Sequence, residues 1–158
     1  EIACCLVGSE MCIRDSDETT IVHGDYRLDN MILRNNEVIG ILDWELSTLG
    51  HPIADFSYHC LSWRTQEAFW DEAKLKELGI PSEKEYMEMY CKYSGKDLSK
   101  NWEFYMAFNM FKIAGILQGI LGRVRDGTAA SKHAEERGNM VFPLSEAAWS
   151  TIEENFLK

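Results

Sequence analysis

Two short apolar runs, Met31-Ile32-Leu33 and Val38-Ile39-Gly40-Ile41-Leu42, are separated by Arg34-Asn35-Asn36-Glu37. That punctuation leaves the stretch few options other than a tight β-hairpin. β-Branched residues favour strands, and an Asn pair tolerates the left-handed backbone of a two-residue turn. Antiparallel pairing brings the start of the first strand back beside the end of the second. Asn30 thereby comes within reach of Asp43, thirteen positions later. Asp25 sits on the loop His23-Gly24-Asp25-Tyr26-Arg27-Leu28-Asp29-Asn30 that feeds the hairpin, so three oxygen-bearing side chains converge on one end of it.

Those residue types suit phosphoryl transfer. Mg2+ is a hard cation that takes one or two carboxylates from a protein and leaves its other positions to water and substrate phosphates; Asn30 and Asp43 fit that role. The reaction also needs a residue to orient the attacking hydroxyl and accept its proton, and a carboxylate beside the metal ligands can do both. Asp25 is the candidate base. A lone Asp in a loop is ordinarily a turn or capping residue, but three polar residues in this spacing around one hairpin point to chemistry. Arg27 either neutralises phosphate charge or pairs with Asp29 or Glu45, and His51 reads as a loop residue rather than a ligand.

The string His23 to Asn30, the segment Ile41-Leu42-Asp43-Trp44-Glu45 and Leu49-Gly50-His51-Pro52-Ile53-Ala54-Asp55 resemble the aminoglycoside phosphotransferase and choline kinase superfamily. Within it they resemble the kinase-like domain found fused to acyl-CoA dehydrogenases or standing alone in bacteria. The likeness runs from about Ile21 to the end of the chain, including Gly79-Ile80-Pro81-Ser82, Asn101-Trp102-Glu103-Phe104-Tyr105 and Phe111 to Gly119. The resemblance implies an α+β fold: the mainly helical carboxy-terminal lobe of a protein-kinase-like fold, with a small catalytic β-hairpin. It implies ATP as co-substrate, Asp25 as base, Asn30 and Asp43 as magnesium ligands, and His23 as a brace beneath the catalytic loop. Asp55 matches an acid that holds that loop through its backbone amides, although Pro52 followed by an acid in the first helical turn is also an ordinary helix start.

In this superfamily an amino-terminal lobe supplies a glycine-rich loop over the phosphates and a strand lysine. Neither precedes His23 in the 22 residues before it, so the expectation over 17-158 is a carboxy-terminal lobe, a truncated gene product or a deliberately small relative, and the first sixteen residues favour truncation. Residues 1 to 16 hold three of the five cysteines and have neither helix nor strand periodicity. They are read as a segment foreign to the family, translated adapter or assembly sequence; the competing reading is a buried strand at Ala3 to Val7.

Composition narrows the partners. With 46% apolar and 27% charged residues over 158 positions, the chain has the make-up of a single soluble domain with a sizeable core. A net charge of -10 argues against nucleic acid, whose phosphates demand clustered Lys and Arg. No run reads as the roughly twenty consecutive apolar residues that cross a membrane. Cys60 and Cys91 lie in apolar helical contexts and read as buried thiols in a reducing compartment, which fits a cytoplasmic location.

Beyond the hairpin the chain reads as successive helices: Ile53 to Trp63, Glu67 to Leu78, and Ser82 to Ser94, the last opened by a capping box and stopped by Gly95. Asn101 to Asp126 is apolar around most of its circumference, the mark of a central buried helix, and Gly115, Gly119 and Gly122 would let another helix approach closely. A last helix runs from Pro143 towards Phe156.

Two functions of different class follow. One is the catalytic lobe of an ATP-dependent kinase acting on a small-molecule hydroxyl, a hydroxyacyl-CoA being the acceptor suggested by analogy. The other is a catalytically inactive kinase-like fragment that binds a partner, such as a fused or adjacent acyl-CoA dehydrogenase domain.

Overall fold

The computed structural model describes residues 18–65, 72–98 and 101–158. The expectations for residues 1 to 16, including a strand over Ala3 to Val7, and for the start of the helix from Glu67 lie outside those residues. The chain groups into two units, one ending at His59 and the other starting at Cys60.

In the first unit the expected hairpin pairs β2 (Met31–Arg34) with β3 (Glu37–Ile41) in antiparallel register. Asn35 and Asn36 carry it round with φ of 50° and 63°, the left-handed turn that matches strand twist. The register is not uniform. Arg34 faces Glu37 and Leu33 faces Val38, but Ile32 faces Gly40 and Met31 faces Ile41, so Ile39 is an extra residue, a β-bulge. Without it Asn30 would stand opposite Ile41. With it the backbone N–H of Leu42 donates to the carbonyl of Asn30 at 2.8 Å.

A second ribbon, which the sequence reading did not anticipate, pairs β1 (Thr20–Val22) with β4 (Thr48–Gly50). Strands of three residues are too short to show a period of two. Single 3-10 turns at Leu28–Asn30 and Trp44–Leu46 lead into and out of the hairpin. Helix α1 (Pro52–Cys60) then begins with Pro at its first position, where the missing N–H costs nothing. Ile53, Phe56, Ser57 and Cys60 recur on one face and are buried. The helix expected to reach Trp63 stops at Cys60; Leu61 lies in a turn before the short α2 (Ser62–Thr65).

The second unit is helical. Only Glu72–Glu77 of the helix expected from Glu67 is described, as α3. Helix α4 (Glu83–Ser94) has the capping box, Ser82 accepting from the Glu85 backbone and Glu85 reaching back to the Ser82 N–H, and it ends at Gly95 with φ 71°. Helix α5 (Trp102–Arg125) packs against α7 (Val141–Phe156) and α6 (Ala134–Gly138). Val141, Leu144 and Ala148 form the buried face of α7, and burying a side chain such as Leu144 stabilises by about 1.5–3 kcal/mol. Arg64 donates to both Glu83 and Glu103, and the Trp102 indole N–H donates to Glu83 at 2.8 Å, which ties α2, α4 and α5 together. Cys60 is fully buried and its thiol is pushed up by burial, whereas Cys91 is only partly covered.

Three expectations for α5 are corrected. Its buried residues all fall at or before Ala114, while Phe111 is 71% and Ile116 50% exposed, so α5 is a core helix over its first half only. No atom lies within 4 Å of where a Cβ would stand on Gly115, Gly119 or Gly122. Close approach is made instead by Gly138 of α6, where a Cβ would sit 2.5 Å from the Leu121 side chain; the small residue belongs to the element that comes in. Finally, α5 reaches a mean hydropathy of 1.3 over an 18-residue window, long and apolar enough by length and composition to cross a membrane. Its packed first half, with Asn109 buried among apolar neighbours in sequence, is that of a core helix.

Candidate active site

All the candidate site residues belong to the first unit, and the chain there is held by side chains acting on backbone. Gly24 has φ 84°, and a Cβ on it would lie 2.5 Å from the carbonyl oxygen of Leu46. Only glycine fits both the left-handed turn and that approach. Just past this glycine the chain turns back, which lets a neighbouring carboxylate reach two successive amides. Asp55, in the first turn of α1, accepts from the backbone N–H of His23 and, at 2.8 Å, from that of Gly24.

His23 is 2% exposed. Its Nδ1 accepts from the Asp25 backbone N–H at 3.2 Å, and its Nε2 lies 2.7 Å from the carbonyl oxygen of Leu42. One nitrogen must lack a proton and the other must carry one, so the hydrogen bonds select the neutral Nε2–H tautomer. The ring thus spans from the loop to the hairpin's end, with the Trp44 ring centroid 4.7 Å away on one side.

Asn30 is buried at the end of its 3-10 turn. Its amide Nδ2 donates to the backbone carbonyl of Asp25 and to Asp25 Oδ2, both at 2.9 Å. The other carboxylate oxygen, Oδ1, accepts from the Tyr58 hydroxyl at 2.7 Å. Arg27 Nε stands 3.5 Å from Asp25 Oδ2 and 3.8 Å from Asp29 Oδ2. Of the partners expected for Arg27, Asp29 is therefore present and Glu45 is not, and Asp25 joins the set. Burial, followed by the hydrogen bond to Asp25, pushes the Tyr58 hydroxyl well above the ordinary tyrosine range, because losing its proton would place a second anion beside the first.

Asp43 follows Leu42 directly, and so comes next after the residue whose N–H is bonded to Asn30. Its backbone is left-handed, φ 66° and ψ 50°, a conformation that Asp tolerates better than most residues. Its carboxylate has no hydrogen-bond or ion-pair partner among the described residues, and Asn30 Oδ1 likewise accepts none. Both groups therefore keep oxygens that could hold a cation. Among the described residues no three His, Cys, Asp or Glu side chains cluster as a metal site; one carboxylate with one amide oxygen is a donor set that could hold Mg2+, which takes only one or two protein carboxylates. His51 caps α1, its Nδ1 accepting from the Ile53 N–H at 3.2 Å.

The sequence reading missed Tyr58 and Trp44. Tyr58 could have been found from its spacing, since it lies three residues after Asp55 and hence on the same face of α1.

Residues 10–90 match the family described as phosphotransferase enzymes. The chain belongs to that family. A Ralstonia eutropha JMP134 protein, described as a candidate aminoglycoside phosphotransferase, shares the phosphotransferase fold at a TM-score of 0.79 and 46% identity over 90% of this chain and 45% of its own. The chain is also 44% identical over 138 residues to acyl-CoA dehydrogenase family member 10 of Mus musculus, covering 83% of this chain and 13% of that protein. It is 36% identical over 148 residues to acyl-CoA dehydrogenase family member 11 of Homo sapiens, covering 90% and 19%. The chain therefore spans less than a fifth of those curated relatives and under half of the solved one. Its kinase-like fold and family membership agree with the resemblance read from the motifs.

Proposed function

We propose that this segment carries the base and the divalent-cation ligands of an ATP-dependent phosphotransferase whose acceptor is a small-molecule hydroxyl. The observation that carries the reading is the asymmetric treatment of three neighbouring polar residues. Asp25 is oriented by protein donors on both oxygens, whereas the Asp43 carboxylate and Asn30 Oδ1 have no protein partner among the described residues. A base needs fixed orientation and metal ligands need unspent oxygens.

Asp25 takes the proton of the acceptor hydroxyl as its oxygen bonds to the γ-phosphorus and the bond to the ADP oxygen breaks. Mg2+, held by Asn30 and Asp43 when bound, supplies charge neutralisation on the phosphates. Asp55 and His23 keep the loop in shape for both tasks. The names of the relatives support an acyl-CoA dehydrogenase domain as a fused or adjacent partner, and a hydroxyacyl-CoA is the acceptor class put forward by analogy with it.

The test compares the 158-residue chain with the same chain joined to the amino-terminal part of the Ralstonia protein, assayed for ADP release with hydroxyacyl-CoA acceptors. Residues 1 to 22 contain no lysine and a single glycine, so the chain alone is expected to turn over little ATP and the joined protein to be active. In the joined protein Asp25→Asn lowers transfer by about 10²–10⁴-fold, the share a general base supplies, but spares nucleotide binding, and Asp43→Ala weakens magnesium-dependent binding and transfer together. Full activity of Asp25→Asn refutes the base; robust Asp25-dependent transfer by the 158 residues alone refutes the need for added phosphate-binding groups.

A further inference from the structure

We propose that Tyr58 is a positioning residue for phosphoryl transfer, holding the Asp25 carboxylate in the single orientation from which it can meet an acceptor hydroxyl. The proposal rests on Asp25 being the base, and it deepens that reading by naming what aims it.

A carboxylate on a loop has two free torsions, and one hydrogen bond leaves it able to swing. Asn30 fixes Oδ2 from one side and also binds the Asp25 carbonyl, both at 2.9 Å, and the half-exposed Arg27 Nε stands 3.5 Å from the same Oδ2, leaving Oδ1 to be held from elsewhere. Tyr58 fixes Oδ1 from the other at 2.7 Å. Donors on both oxygens define the plane of the group, which neither defines alone.

The origin of the Tyr58 donor matters as much as its distance. Tyr58 lies on α1, one helical turn from Asp55, whose carboxylate holds the amides of His23 and Gly24. One rigid helix thus grips the loop twice, by its backbone through Asp55 and by its reactive side chain through Tyr58. Residues three apart share a helix face, so loop shape and carboxylate aim are set by one body. A tyrosine also suits the task because its two torsions leave little freedom to lose, and its ring is partly buried on a helix whose Ile53, Phe56 and Ser57 are packed. The hydroxyl remains a donor at neutral pH, because burial and Asp25 itself oppose its ionisation. A reactive carboxylate misaimed by one rotamer loses most of the advantage of proximity.

Two measurements test this with Tyr58→Phe, which removes one oxygen and keeps the ring. In the 158-residue chain, side-chain scalar couplings of Asp25 are expected to report one χ1 rotamer, and Tyr58→Phe to average it over at least two. A single unchanged rotamer in the variant overturns the proposal, without reference to activity. In the joined protein, Tyr58→Phe is expected to lower kcat by at least tenfold with KM for ATP and acceptor within twofold. Combined with Asp25→Asn it should slow the reaction no further than Asp25→Asn alone. Multiplying penalties would mean that Tyr58 acts by supporting the fold, and would overturn the proposal. If Asp25→Asn itself remains fully active, the base assignment fails, while the coupling measurement still decides whether Tyr58 orients Asp25.

Discussion

Asp55→Asn changes one atom of the loop's support and should cost more than most surface substitutions. The carboxylate of Asp55 accepts two successive amides, those of His23 and Gly24. Hydrogen bonds to a charged acceptor contribute about 1.5–3 kcal/mol each. A carboxamide keeps one carbonyl oxygen, worth about 0.5–1.5 kcal/mol as a neutral acceptor, and turns its NH2 towards the second N–H. Two donors then face each other beside a histidine that is 2% exposed. The expected loss is about 2–4 kcal/mol after allowing for water at the partly exposed side. Chemical denaturation of the 158-residue chain measures the loss as a lower midpoint at unchanged slope. Hydrogen exchange locates it, because the His23 and Gly24 amides should lose protection while those of the β2–β3 pair keep theirs. A loss below about 0.5 kcal/mol, the scatter of ordinary surface changes, together with unchanged protection of both amides, would refute the view that Asp55 supports the loop.

Gly24→Ala should destabilise by about 2–5 kcal/mol, the sum of a disfavoured left-handed backbone and overpacking, since its new Cβ would meet the Leu46 carbonyl at 2.5 Å; a midpoint unchanged in denaturant would refute it. The Glu85 carboxyl is held below its ordinary value by hydrogen bonds from the Ser82 backbone and side chain. Its contribution is therefore complete above the unfolded glutamate pKa and is lost as pH falls through the lower folded value; protection at the start of α4 should fade over that window in the natural chain and be independent of pH there in Glu85→Gln. Burial lowers the pKa of His59 from its ordinary value of 6.5, so the unfolded chain binds the extra proton first. Stability should rise with pH from the lowered value up to about 6.5, and His59→Gln should remove that rise from a pH series of melting midpoints.

The hairpin was legible because it rests on local chemistry: β-branched runs for strands, and Asn35 and Asn36 for a turn that needs positive φ. The capping box at Ser82 was legible for the same reason. The bulge at Ile39 was not, since one extra residue leaves the composition of β3 unchanged and shows only in what faces what. The β1–β4 ribbon was too short to carry a pattern. Gly115, Gly119 and Gly122 were misread because spacing tells which residues share a face but not whether anything covers it. Tyr58 was passed over because an aromatic residue on a helix is ordinarily packing; its spacing from Asp55 put it on the right face, but only the fold sets its hydroxyl against Asp25.

Asp43 occupies a backbone conformation that glycine adopts freely and an aspartate adopts at a cost of about 1 kcal/mol. Position 43 is thus a place where two kinds of selection diverge. A screen that rewards folding alone, such as one for heat tolerance or expression, would drift towards Asp43→Gly, which relaxes the chain and deletes a carboxylate that bonds no other described residue. A screen that rewards turnover would hold the acid against that gradient. On the role proposed for Asp43, natural or engineered members of this family that carry glycine there would be sturdier proteins short of one magnesium ligand, and the residue at this one site would separate lineages kept for chemistry from lineages kept only for their shape.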